Sequence, residues 1–342
     1  MEFVPHVVAE VRRETSDSVV IRFAEPMDFV AGQYVTVRRF VDGEEVRRCY
    51  SICASEGGPL QIGVKRVIDG CVSTWLTETV RVGDSVELAG PDGSFGAPAR
   101  RDRRIVAVAA GSGITPVISI AATVLERGGE VTLVYGNRRA ATAMFLDALD
   151  DLKNRHVQRF RVWMAFSGEL AEVEFLNGRI DAGALVRQGL VETDADGYYV
   201  CGPEAMPDAV TAALAGAGVA LDRIHTERFA PGRPLRRHPQ PRAEPSAAAK
   251  GAEVLIRFQG RSTRLSVAPG ESILRAGLEA RPDLPWSCEA GVCATCRARL
   301  VEGTVDMAVA HGLEDDERER GFVLTCQAVA TSSKVFVDYD AT

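Results

Sequence analysis

Four cysteines in the last quarter of the chain stand at a spacing that can hold two iron atoms: Cys288-x4-Cys293-x2-Cys296-x29-Cys326. Two irons need four thiolates, two on each. The short intervals let three thiolates come from one tight loop while the fourth arrives from a distant segment. The residues between Cys288 and Cys296 read EAGVCAT. Small side chains there let backbone N–H groups approach cluster sulfurs and stabilise the reduced state. Zinc is the competing metal, but zinc ribbons use two Cys-x2-Cys units, and only Cys293 and Cys296 form one. The spacing and the loop together predict a plant-type [2Fe-2S] cluster on Cys288, Cys293, Cys296 and Cys326.

A second set of residues lies near the start of the chain. Arg48-Cys49-Tyr50-Ser51 can serve a flavin dinucleotide in three ways: Arg48 clamps a pyrophosphate, Tyr50 lies against the isoalloxazine ring, and Ser51 hydrogen-bonds the ring system. Alone, this tetrapeptide also fits an ordinary strand. It is flanked by GQYVTV (Gly32–Val37), VKR (Val64–Arg66) and GCVSTWL (Gly70–Leu76). The last reads as a Gly-led turn into a short helix whose N-terminal amides favour a phosphate. Cys53 and Cys71 read as packing residues, and the thiol of Cys49 carries no function of its own.

A third set suits a nicotinamide dinucleotide. AAGSGITP (Ala109–Pro116) ends a buried strand and opens a helix, so bare glycine backbone and a helix N-terminus face a pyrophosphate together. It is not the G-x-G-x-x-G fingerprint. CGPEAM (Cys201–Met206) again follows a strand and precedes a helix. YGNRR (Tyr135–Arg139) ends another strand. An acid there would suit the free 2′-hydroxyl of NADH; Arg138 and Arg139 instead suit the 2′-phosphate of NADPH, which makes NADPH the expected donor with NADH the alternative.

The elements that must position these sets differ along the chain. Up to about residue 98, short apolar runs (Val19–Phe23, Tyr34–Phe40, Leu60–Val67, Ser85–Leu88) alternate with Gly, Pro and Asp, which predicts a small antiparallel barrel. From about 103, buried strands at Ile105–Ala110, Val131–Gly136, Phe160–Phe166 and Tyr198–Gly202 alternate with helices at Pro116–Glu126, Ala143–Lys153 and Pro207–Ala217. That pattern predicts a parallel sheet covered on both faces. Residues 231–250 carry Pro, Ala and five basic side chains against one acid, a linker composition that reads as a solvated tether or a docking segment. Beyond it come a hairpin (Val254–Phe258, Thr263–Val267), a helix (Ser272–Ala280), the cysteine loop and a strand (Lys334–Asp338). The expected division is 1–100, 101–230, linker 231–250, and 251–342, the last an α+β, β-grasp-like fold.

Bulk composition agrees. The chain has 342 residues, enough for two or three domains. Its net charge of −7 does not favour nucleic acid. No apolar run is long enough to span a bilayer, and no positive leader precedes an apolar stretch. A cytoplasmic protein acting on neither nucleic acid nor membrane is expected. In that reducing compartment the eight cysteines point to metal or redox roles rather than disulfides.

In order and spacing, the motifs of residues 1–230 resemble the ferredoxin–NADP reductase superfamily, and residues 251–342 resemble plant-type ferredoxins. The resemblance implies that Arg48, Cys49, Tyr50, Ser51, Val64, Lys65, Arg66, Gly70, Cys71, Val72 and Ser73 bind FAD. It implies that Gly111, Ser112, Gly113, Ile114, Thr115, Pro116, Asn137, Arg138, Arg139, Cys201, Gly202, Pro203, Glu204 and Met206 bind the nicotinamide nucleotide. Phe229 would shield the flavin face, unless it is a core residue. Ser51, Thr115 and Cys201 would stand at the reacting centre, Thr115 near the flavin nitrogen that accepts hydride and Cys201 near the nicotinamide carbon that gives it. His225 reads as structural.

Barrel, nicotinamide domain and C-terminal cluster domain in this order resemble the reductase components of multicomponent oxygenases. Among them, GEEVRRCYSIC (43–53), NGRID (177–181), RIHTERF (223–229), GVCATC (291–296) and VLTCQA (323–328) are similar to the reductase subunits of phenylacetyl-CoA epoxidases. The resemblance implies hydride from NAD(P)H to FAD, single electrons to the [2Fe-2S] cluster, and transfer to a partner diiron oxygenase. Reductases of Rieske-type or steroid hydroxylase systems share most of these strings. A non-enzymatic redox sensor or electron store is the alternative of another class. The acidic run Glu314–Glu317 reads as a solvated helix end or as a face for a basic partner.

Overall fold

The computed structural model describes residues 1–170, 176–229 and 251–341. The expected linker, 231–250, lies outside the described residues. Contacts divide the chain into two compact units, Glu2–Phe229 and Ala230–Thr342.

The first unit opens with β1 (Val4–Thr15), β2 (Ser18–Phe23), β3 (Tyr34–Val41), β4 (Glu44–Ser51) and β5 (Gln61–Lys65), followed by helix α1 (Cys71–Glu78) and β6 (Ser85–Asp92). They form an antiparallel sheet in the order β4-β3-β6-β1-β2-β5. An antiparallel bridge from Ile52 to Ile62 brings the end of β4 onto β5, which curls the sheet toward closure. The strands β2, β3 and β5 turn Val19, Ile21, Val35, Val37, Ile62 and Val64 into the interior, each wholly buried. Burying a side chain of this kind stabilises the fold by roughly 1.5–3 kcal/mol.

Next come β7 (Arg104–Ala110), α2 (Ile114–Glu126), β8 (Glu130–Asn137), α3 (Leu146–Arg155), β9 (Phe160–Phe166), α4 (Ala182–Arg187), β10 (Gly197–Gly202), α5 (Ala205–Gly216) and β11 (Ile224–Arg228). The strands are parallel in the order β11-β10-β7-β8-β9. Alternate residues of β10 feed two cores. Tyr199 and Cys201 pack with α2 and α3, whereas Tyr198 and Val200 pack with α4 and α5. The parallel sheet is therefore covered on both faces, as expected. Helix α3 starts three residues later than the sequence pattern suggests. Phe145 takes a left-handed conformation (φ 64°) that cannot belong to a right-handed helix.

Polar bonds tie the barrel to the parallel sheet within this unit. Ser119 Oγ donates to the Ala54 carbonyl at 2.5 Å, and the Glu56 amide donates to Thr123 Oγ1 at 2.9 Å. The Phe145 amide donates to Glu14 at 2.8 Å. These bonds fix α2 and the start of α3 against the barrel.

The second unit contains β12 (Ala252–Phe258), β13 (Arg261–Val267), α6 (Ile273–Ala280), β14 (Arg297–Glu302), β15 (Val305–Met307), α7 (Asp315–Glu319), β16 (Phe322–Leu324), β17 (Ala328–Ala330) and β18 (Lys334–Asp338). A mixed sheet runs β13-β12-β18-β14-β16, and β15 pairs with β17. Helix α6 packs Ile273, Leu274 and Ala276 into the same core as Val254, Ile256 and Val337. Ser272 caps the helix, its Oγ accepting from the Arg275 amide. The result is the α+β fold expected.

Candidate cofactor and electron-transfer sites

The cysteine loop is built by backbone in rare conformations. Glu289 (φ 51°), Gly291 (φ 75°) and Ala294 (φ 55°) are left-handed, and this turns successive amides inward. The Ala290 amide donates to Cys288 Sγ at 3.3 Å. The Val292 amide also reaches Cys288, and the Gly291 amide reaches Cys326. Cys326 follows β16 and enters this loop from the distant segment, as the spacing required. No three of the described His, Cys, Asp or Glu side chains converge on one point as the ligands of a single ion would. The four thiols lie near one another: Cys288 faces Cys293, Cys296 faces Cys326, and Cys296 and Cys326 also feel Cys293 and Cys288, respectively. Thr295 adds a buried hydroxyl with no partner among the described residues. The donor set, the inward amides and this orphaned hydroxyl fit a [2Fe-2S] cluster. None of the eight cysteines is in a disulfide.

In the first unit, β4 carries Arg48, Cys49, Tyr50 and Ser51 to the point where Ile52 bridges to β5. Ser51 is buried. Tyr50 is half-buried, and desolvation still dominates its phenol, whose pKa is raised against the opposing charge of Arg48. Val64 and Val72 are wholly interior side chains, so only their backbones are available to a ligand. Two side chains have other occupations. Lys65 Nζ donates to the Thr142 carbonyl at 3.1 Å, and Arg66 pairs with Glu78. Ser73 Oγ is buried, accepts from the Val67 amide and donates to the Gly70 carbonyl. It shapes the entry to α1, whose N-cap Gly70 provides no side-chain cap. Amides of the first turn remain for an anion. Cys71 is half-buried there, its carbonyl accepting from Arg39. Cys53 is buried, and burial pushes its thiol up to about 12.

The turn after β7 meets the barrel through Thr115. Its Cγ2 lies so close to Gly63 of β5 that any Cβ on Gly63 would collide with it. Thr115 is buried and donates to the Ser112 carbonyl at 2.9 Å, which leaves its lone pairs to accept. The two glycines of the turn do different work. Gly111 is left-handed (φ 56°) with open space where a side chain would be, whereas a Cβ on Gly113 would run into the Cys201 carbonyl. Gly111 is thus the open backbone that a ligand can approach, and Gly113 lets β10 close onto the turn. Ile114 and Pro116 are buried in α2. Gly202 leaves the room that the thioether of Met206 fills, while Pro203 and Glu204 are exposed at the start of α5.

Cys201 is fully buried, and burial raises its thiol well above the ordinary value, so it is a neutral thiol at physiological pH. Beside it, in register across β10 and β11, stands Glu227. Its Oε2 is shut away from solvent and lacks a partner among the described residues. Burial pushes this carboxyl up from 4.5 to about 8. The sequence pattern singles out His225 and Phe229 in this segment and not Glu227. An acid inside a strand, opposite a cysteine at the end of its parallel neighbour, is the signal that could have found it. Phe229 follows β11 and is 40% exposed.

At the end of β8, Asn137 is buried and keeps an amide Nδ2 without a partner among the described residues. Arg138 and Arg139 are exposed beside it. The nearby carboxylate of Glu169 accepts the Ala140 amide at 2.6 Å. The orphaned amide, the orphaned carboxyl and the bare Gly111 backbone fit a nucleotide lying across the ends of β7, β8 and β10, the crevice that open α/β sheets offer.

Comparison with known proteins agrees with this reading. Residues 7–96 match the oxidoreductase FAD-binding domain, 107–212 the oxidoreductase NAD-binding domain, and 256–331 the 2Fe-2S iron-sulfur cluster binding domain. The chain is 40% identical to one of the subunits of 1,2-phenylacetyl-CoA epoxidase of Escherichia coli (strain K12), over 98% of this chain and 97% of that protein. It is 33% identical to the ferredoxin reductase component of 3-ketosteroid-9-alpha-monooxygenase of Mycobacterium tuberculosis, over 97% of this chain and 95% of that one. The fold is shared with phthalate dioxygenase reductase (TM-score 0.64, 24% identity, 98% of each chain). No described helix is long and apolar enough to cross a membrane. By identity along its whole length and by its three cofactor-binding domains, the chain belongs to the FAD- and [2Fe-2S]-dependent reductase components of multicomponent oxygenases.

Proposed function

We propose that this chain draws electrons from NADPH and supplies them to an oxygenase of the phenylacetyl-CoA epoxidase type. The observation that carries the choice of partner is the 40% identity to the Escherichia coli epoxidase protein, sustained over both chains. FAD supplies the chemistry that joins a donor of electron pairs to a one-electron cluster.

The chain's own residues hold and orient. In this reading Arg48 pairs with the flavin pyrophosphate, Tyr50 covers the ring, and Ser51 and Thr115 offer hydroxyl groups to it. The amides of Cys71–Ser73 and of Gly111–Gly113 receive phosphates. Cys201, as a neutral thiol, packs at the nicotinamide without attacking it, and Glu227 holds a proton beside it. Asn137 offers its spare amide, and Arg138 and Arg139 receive the 2′-phosphate. Cys288, Cys293, Cys296 and Cys326 would hold the two irons of the cluster. The division into 1–100, 101–230 and 251–342 joined by 231–250 gives each cofactor its own domain.

The test is reconstitution. Purified protein is reduced anaerobically with NADPH or NADH, then mixed with the oxygenase component of a phenylacetyl-CoA epoxidase or of a 3-ketosteroid hydroxylase, together with that oxygenase's substrate and dioxygen. Epoxide formed with NADPH and the first oxygenase is the expected result. Failure of both nicotinamides to reduce ferricyanide would overturn the enzymatic reading. Turnover with the steroid system alone would overturn the choice of partner.

A further inference from the structure

We propose that Arg275, Glu289 and Gln327 form a brace that sets the position of the cluster loop relative to Cys326, and thereby the retention and reduction potential of the cluster. The inference rests on the four-cysteine site above.

Glu289 follows Cys288 directly and is one of the loop's left-handed residues. A non-glycine residue in that conformation is held there by its surroundings. Here the holder is visible. Arg275, on α6, places Nη2 2.8 Å from Glu289 Oε2 in a hydrogen bond. Its Nε lies 2.8 Å from Oε1, a contact too bent to be a second hydrogen bond. The Glu289 side chain is 9% exposed and that of Arg275 32%. A carboxylate so covered depends on its cation, because one partner alone would leave a poorly solvated charge.

The same residue is gripped from the other side. Gln327 Nε2 donates to the Glu289 carbonyl at 3.1 Å and lies 3.7 Å from Cys326 Sγ. One amide group therefore spans the three-cysteine loop and the fourth cysteine. An N–H pointed at a thiolate sulfur favours the more negative, reduced cluster. Arg275 acts on the cluster only through Glu289, so it is a positioning residue; Gln327 reaches a ligand sulfur itself.

The test uses the full-length holoprotein. Cluster loss is followed by visible absorbance in excess EDTA, and the midpoint potential by an EPR-monitored titration. Arg275→Gln is expected to lose the cluster roughly 10–100-fold faster than wild type, the usual cost of removing an outer-shell partner. Reversing the pair, Arg275→Glu with Glu289→Arg, is expected to restore most of the retention. Gln327→Leu is expected to keep the cluster at a more negative potential. If Arg275→Gln cannot load a cluster, loading by the reversed pair supports the brace, and failure of the reversed pair overturns it. Unchanged loss in Arg275→Gln, or an unchanged potential in Gln327→Leu, also overturns it. A wild-type protein without [2Fe-2S] absorption would instead remove the site on which the brace acts.

Discussion

Glu227 carries a buried carboxyl of the first unit whose protonation bears on stability. Its carboxyl is raised from 4.5 to about 8 by burial alone. The sign follows from linkage. Below pH 4.5 the folded and unfolded chains are both protonated at this site, and the group is neutral toward stability. Between there and about pH 8 the unfolded chain releases its proton while the folded chain keeps it, so stability falls as pH rises. At pH 7 the interval is roughly 2.5 units, which at about 1.4 kcal/mol per unit is about 3.5 kcal/mol. Glu227 as a residue is only half-buried although its Oε2 is enclosed. Screening through the exposed part reduces the figure to about 2 kcal/mol.

Glu227→Gln replaces the carboxyl with a neutral group of the same shape. It should unfold like wild type at pH 4 and be more stable by about 2 kcal/mol at pH 7, a rise of about 4–8 °C in the melting temperature of a unit this size. Scanning calorimetry from pH 4 to 9 measures it, with the transition assigned through the simultaneous release of flavin fluorescence. The same variant should retain flavin reduction by NADPH at pH 7, because the wild-type group is already protonated there. It should also lose any limb of the pH–rate profile near 8. A stability difference independent of pH, or a variant less stable than wild type at pH 8, would refute the burial argument.

Other substitutions test the rest of the site. Cys293→Ser should abolish the [2Fe-2S] absorption while NADPH still reduces ferricyanide through the flavin; loss of flavin reduction as well would break the separation of the two units. Gly113→Ala sets a methyl group against the Cys201 carbonyl and should cost about 1–3 kcal/mol, as overpacking does, read as a lower melting temperature. Gly111→Ala has open space and only its positive φ to oppose it, about 1 kcal/mol, so a stability loss there equal to that of Gly113→Ala would contradict the division of labour. Replacing Arg138 and Arg139 together by Ala should raise the KM for NADPH on the order of tenfold, the loss of one charge-assisted contact, and leave that for NADH nearly unchanged; parallel rises would place the 2′-phosphate elsewhere.

Local chemistry was legible in the sequence, and chemistry assembled by register was not. The cysteine loop could be read because three of its thiols and their inward amides belong to one run of nine residues, 288–296. The long strand β1 does not announce itself because its exposure is irregular, with His6 and Val8 buried but Val7, Glu10, Arg12 and Arg13 outside. The strands β15, β16 and β17 have three residues each, too few for any periodicity to show. Glu227 was hidden for a different reason. In IHTER it reads as a solvated acid, and only parallel pairing of β11 with β10 lays it beside Cys201.

The turn AAGSGITP shows how far a motif can be read. Its glycines were visible, and the inference that a bare backbone faces a pyrophosphate treats them alike. The structure separates them: Gly111 has the open backbone, and the space beside Gly113 is already filled by the Cys201 carbonyl. The second marker, CGPEAM, is therefore not independent of the first. The end of β10 can lie at the turn only because residue 113 lacks a Cβ, and β10 in turn carries Cys201 into register with Glu227. A single missing methyl thus couples the glycine turn, the thiol and the buried acid. One glycine of this turn thus answers to the neighbouring strand rather than to the phosphate, as the packing glycine of G-x-G-x-x-G does in its own setting.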